Sequence, residues 1–190
     1  KRQPMYYSGT LKFFGCLLGI LLLSHARGTA QCEFLKSDIE DVRSNAMEVL
    51  RISDTLETFA IRTTNYRSAR SNSRKAQIYA GEILAATYRI STRAAEARQR
   101  AERCGVEGAA QYLSGADRYA ERAKTLADKA FGLAKKAYAS RNLSTIQRYL
   151  NESVTTAREA RKAAILVAQQ ASEAHFCCGG QEIVVAAGRG

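Results

Sequence analysis

Tryptophan is absent from the 190-residue sequence, and proline occurs once, at Pro4. Without proline, no later position lacks the backbone N–H that a helix needs, and proline-rich linkers are excluded. Histidine occurs twice, as His25 and His175, so a metal or hydrolytic centre built from several imidazoles is excluded. No apolar run approaches the roughly 20 residues of a membrane-spanning helix. The longest, residues 13–23, has eleven. Glycine-rich phosphate loops and nucleophile elbows are also missing. Acidic residues are the minority, 18 against 29 Lys and Arg, which leaves a formal net charge of +11.

What is present is alanine in quantity, a good helix former, in a chain long enough for one domain and a leader. Residues 1–30 read as a signal peptide. Lys12 precedes the apolar run, and Gly28 and Ala30 stand at the −3 and −1 positions of a cut before Gln31. The expected localisation is secreted, periplasmic or cell-surface. Cleavage removes Lys1, Arg2, Lys12 and Arg27, leaving 25 of the 29 basic residues against the 18 acidic ones. It also removes Cys16 and leaves Cys32, Cys104, Cys177 and Cys178, an even number in an oxidising compartment, so two disulfides are expected.

Stepping by three and four from Cys32 defines four uncharged stripes. The first holds Leu35, Ile39, Val42, Ala46, Val49, Ser53, Leu56, Ala60 and Thr63, and the second runs from Ala76 through Ile83, Thr87 and Ile90 to Cys104. The third alternates small and large: Ala109, Tyr112, Ala116, Tyr119, Ala123, Leu126, Ala130, Leu133 and Ala137. The fourth runs from Ile146 through Leu150, Ser153, Ala157 and Val167 to Cys178. A 3.5-residue apolar repeat keeps one face toward partner helices. The fold class predicted is all-α, an antiparallel up-down four-helix bundle of two tandem long hairpins with Ala-rich, coiled-coil-like seams. Residues 31–178 form the bundle, hairpin one 33–104 and hairpin two 105–178, followed by a loose tail at 179–190. The serine-rich stretch 68–73 is expected to be the first hairpin turn, Gly105 to end the second helix, and Asn142 or Ser144 to cap the fourth. The match between Ser37 and Glu40 fits a capping box.

The two halves are weakly alike. Phe59 and Tyr66 match Phe131 and Tyr138 at one offset, and Cys104 matches Cys177 at an offset one longer. The segment DKAFGLAKKAYASRNLSTIQRY at 128–149, flanked by Cys104 and Cys177, resembles a repeat of exported bacterial proteins with Cys-bounded, Ala/Tyr-rich helical hairpins. That resemblance implies export and the hairpin fold. It carries over no functional residue, since the family has no assigned activity. The Ala-rich pattern also resembles trypanosome surface coat proteins, whose C-terminal hydrophobic tail finds no counterpart in the sequence up to Gly190.

Hairpins of equal height return to their starting level, so the four cysteines are expected at one pole. Cys177 and Cys178 should pair with Cys32 and Cys104, since neighbouring cysteines rarely bond to each other. The alternative is a metal- or haem-binding carrier using His175, Cys177 and Cys178, although the tight ligand spacing of metal sites is missing. No cofactor is expected.

The opposite pole should be cationic. Residues 58–81 contain no Asp or Glu but hold Arg62, Arg67, Arg70, Arg74 and Lys75. Residues 129–151 likewise contain none, and hold Lys129, Lys135, Lys136, Arg141 and Arg148. Helix dipoles account for cations at the C-terminal ends of helices one and three but not for Arg74, Lys75 and Arg148 near N-termini. These residues are expected to meet polyanions: acidic polysaccharide, lipid headgroups or lipopolysaccharide phosphates, or nucleic acid. Tyr66, Tyr79, Tyr138 and Tyr149 lie in the same windows and could stack on sugars or bases. The inward seams carry neither Glu nor Glu-x-x-His, so the chain is read as a non-enzymatic structural or interaction module.

Overall fold

A computed structural model describes residues 34–58 and 65–178; the leader, Cys32, Ala60, Arg62, Thr63 and the tail at 179–190 lie outside the described residues. Residues 34–58 form α1. It is followed by α2 (Tyr66–Arg103), α3 (Glu107–Ala139) and α4 (Leu143–Cys177). Together they form a four-helix bundle. Among the described residues no helix is long and apolar enough to cross a membrane.

The helix order around the bundle follows from the contacts. α3 packs along α2 on one side and α4 on the other, while α2 and α4 touch sparingly. α1 closes the ring between α2 and α4. Arg89 of α2 reaches Asn45 at 3.1 Å and Glu48 at 2.6 Å, and Arg100 pairs with Asp38 at 2.7 Å. On the other side Arg158 binds Glu57, and Arg161 meets Asp54 at 2.6 Å. In each set the residue number rises on one helix as it falls on the other, so the neighbours are antiparallel.

The stripes of α1, α2 and α4 are buried as the repeat requires. Leu35, Ile39, Val42, Val49 and Leu56 on α1 are inaccessible or nearly so, as are Ile83, Ile90, Ile146, Leu150 and Val167. On α3 the stripe is displaced. The buried positions are Ala109, Leu113, Gly115, Ala116, Ala120, Ala123, Ala127, Ala130, Ala134 and Ala137, eight alanines in ten places. Tyr112, Tyr119 and Leu126 are only partly buried and flank the stripe. The expected small–large alternation is therefore replaced by a nearly continuous alanine face. Both phases step by three and four and share every second residue, so spacing alone does not separate them. Packing does. α3 lies diagonally across from α1, whose large aliphatics fill the centre, and an alanine face lets the backbones of α2 and α4 come close.

The small residues also carry register. The Ser153 hydroxyl, inaccessible to solvent, donates to the Ala130 carbonyl at 2.8 Å across the α3–α4 seam. Gln170 lies over Gly115, where a methyl group would collide with it.

Caps set the ends of the helices. Gly105 has φ +69°, and Val106 and Gly105 donate to the Ala101 and Glu102 carbonyls, a complete left-handed helix stop. Asn142 accepts from Ser144 and Thr145 and starts α4. Residues 68–73 are not the first turn. Asn65 caps α2, with Ser68 completing a reciprocal capping box, and the serines that follow are helical. The Ser68 and Ser73 hydroxyls donate to carbonyls three residues back, the local bonding that lets serine stay inside a helix. Ser37 likewise lies inside α1, which already includes Phe34.

Shifted carboxyl groups make stability depend on acid. The hydrogen bond from Arg158 holds Glu57 below the usual carboxylate range, and bonds from Lys124 and Ser91 do the same for Glu121. A depressed carboxyl contributes stability above its unfolded value, here 4.5, and loses it as pH falls through the lower folded value. Burial pushes Asp38 the other way, against the pull of Arg100, so its contribution is full below 3.8 and fades as pH rises. The thermal midpoint is expected to drop from pH 5 to pH 3, and a Glu57→Gln/Glu121→Gln protein to drop less. At pH 7 that variant should melt about 2–4 °C lower, the scale of exposed ion pairs in a chain of this size. An unchanged acid profile in calorimetry would remove these two groups from the account.

Candidate anion-binding site

The two basic turns meet. The Arg70 guanidinium lies over the Tyr138 ring at 4.5 Å from its centroid, donates to the Tyr138 carbonyl, and approaches the Ser140 carbonyl at 3.4 Å. These are carbonyls at the C-terminal end of α3, which have no partner within their helix. Arg70 therefore plugs the negative end of α3 from the first turns of α2. The capping box at Asn65 makes this reach possible, because α2 starts early enough to extend over the end of α3.

Beside this contact lies a cavity of about 520 Å³ lined by Tyr66, Arg67, Arg70, Ser71, Arg74 and Tyr138. A second, of about 440 Å³, adjoins it, shares Arg74 and Tyr138, and is lined further by Gln77, Ile78, Gly81 and Phe131. The two form one groove along the α2–α3 flank. Arg67 and Arg74 are exposed and join no ion pair among the described residues. The first turn of α2 has no acidic residue, nor has that of α4. Among the described residues, no acidic side chain neutralises Arg67 or Arg74.

The other expected binding residues divide. Lys135 sits over the Phe131 ring at 5.4 Å and Arg148 over the Tyr149 ring at 4.8 Å. Lys136 and Arg141 are exposed at the same pole. Lys75 is exposed and has a partner of its own. Of the four tyrosines, Tyr66 and Tyr138 line the groove, whereas Tyr79 and Tyr149 pack against the core. The sequence reading missed Ile78, Gly81 and Phe131. A lone glycine inside a 38-residue helix was the available signal, since such a position often marks close approach. Here the Phe131 ring lies on Gly81, where an added Cβ would be 3.3 Å from it.

Cys104, Cys177 and Cys178 gather at one pole but are not stapled to one another, and Cys32 lies outside the described residues. Cys177 Sγ would be 3.1 Å from a Cβ on Gly108, and Arg100 lies over the Phe34 ring, so the start of α1, the α2–α3 turn and the end of α4 share one end. Cys104, Cys177 and Cys178 are not disulfide-bonded, which corrects the predicted cross-linking among them. Cys177 is exposed, while Cys104 and Cys178 are half-buried. No group of three metal-ligating side chains comes together among the described residues, His175, Cys177 and Cys178 included.

No family model, curated protein or solved structure matches the chain.

Proposed function

We propose that this protein is a non-enzymatic interaction module that binds anionic surfaces or polyanions through the Arg-rich pole. The observation that carries the reading is the convergence of two acid-free turns on a groove where Arg67 and Arg74 are exposed, with no ion-pair partner among the described residues, beside Tyr66 and Tyr138. Arg67, in the first turn of α2, opposes the helix dipole, so helix stability does not account for it. Arg70 serves the fold instead, as the plug on α3. Export of the bundle to the periplasm, cell surface or medium fits this role, because acidic glycans and lipid headgroups are abundant there.

Heparin and vesicles with and without anionic lipid test the reading. Binding to both anionic probes should be strong at low salt and weaken log-linearly as salt rises, the signature of counterion release. Binding to neutral vesicles should be absent. No binding to either anionic probe at low ionic strength would end the proposal.

A further inference from the structure

The groove changes chemistry along its length. At the pole its walls carry Arg67, Arg70 and Arg74. Toward the body they become Ile78, Gly81 and Phe131. From residue 66 to residue 81 the distance along α2 is about 22 Å at ~1.5 Å per residue. Ile78, a large aliphatic side chain, is 53% exposed. Gly81 is among the residues least favoured within a helix, and its missing side chain makes room for the Phe131 ring, which lies on it and forms this wall of the groove.

We propose that the groove binds a single-chain anionic amphiphile, with a phosphate-type headgroup between Arg67 and Arg74 and its alkyl chain lying along Ile78, Gly81 and Phe131. This rests on the anion-binding reading and adds an apolar tail to the anion. A polysaccharide or nucleic acid would satisfy the arginines but leave the aliphatic half of the groove without a partner. An alkyl phosphate matches both halves in the order they occur, with charge complementary to the arginines at the pole and hydrocarbon toward the body.

The test is calorimetric titration of the full chain with butyl, octyl and dodecyl phosphate below their micelle concentrations, with dodecanol, heparin and anionic vesicles in parallel. Full burial of a methylene gives about a fourfold gain in affinity, so an open groove giving half that free energy yields about twofold. Dodecyl phosphate should then bind about 250-fold more tightly than butyl phosphate, and dodecanol should bind far more weakly than dodecyl phosphate. Ile78→Ser, at an exposed position, should remove about tenfold of the dodecyl gain and leave heparin binding unchanged. Equal affinity for butyl and dodecyl phosphate with heparin binding intact would overturn the inference and leave the anion-binding reading standing. Loss of every anionic ligand would remove both. Dodecanol binding as tightly as dodecyl phosphate, or binding to vesicles without binding to monomers, would also overturn it. The chain-length series needs no variant, so it stands even if Ile78→Ser proves unstable.

Discussion

Ala127→Leu is expected to lower the melting midpoint by about 5–10 °C, while Leu126→Ala lowers it by no more than about 2–4 °C. The two positions are neighbours on α3, and by size alone the opposite ranking would be natural. Ala127 is inaccessible and belongs to the alanine stripe; Leu126 is half-buried on its flank. Three added carbons at Ala127 have no space and must push α3 away from its neighbours. Overpacking of this kind costs about 2–3 kcal/mol, and each kcal/mol moves the midpoint by roughly 2–4 °C at this chain length. Truncating Leu126 loses only the part of its surface that was covered, about 1 kcal/mol. Denaturant titration with a constant m-value would confirm that the difference is one of stability. If Leu126→Ala proved the more damaging, the helix would have to be rotated back to the alternating stripe.

Reversing Arg67 and Arg74 to Glu should nearly abolish binding to anionic vesicles. Each cation near an anionic surface contributes about 1 kcal/mol, so losing two and adding two repelling charges removes about 4 kcal/mol, or roughly a thousandfold. The control is Lys36→Glu/Arg103→Glu, which makes the same change in net charge near the cysteine pole and should change affinity by less than about threefold, since charges many Debye lengths away are screened. Equal losses in both proteins would show that overall charge, not the groove, does the binding. Arg70→Ala should behave differently from either. It unplugs the end of α3, and its effect should appear first in stability.

The sequence made most of the architecture legible because the seams are uncharged over many turns. Three stripes are buried at the expected residues along their described length up to the half-buried Cys104 and Cys178, and Gly105 and Asn142 end and start helices where their chemistry demands. The errors share a cause, in that local composition was ambiguous and tertiary contacts decided. In α3 two phases of one repeat compete, and only the closeness of α2 and α4 selects the alanines. At residues 68–73 a serine-rich stretch resembles a turn, yet the Asn65 capping box and the Arg70 contact with the end of α3 hold it helical. The basic pole could be read from the two acid-free windows. Its apolar extension could not, because Ile78 and Phe131 lie on different helices and meet only through the antiparallel register.

α3 is 33 residues long, about 50 Å from end to end at ~1.5 Å per residue. That is some six screening lengths at physiological salt, about 8 Å each. The two ends are therefore electrically deaf to each other. Charge placed at the arginines would leave the field at Cys177 unaltered. Held by one tip, a body of this form would present Phe34, Phe176 and Cys177, all exposed, a fixed distance away.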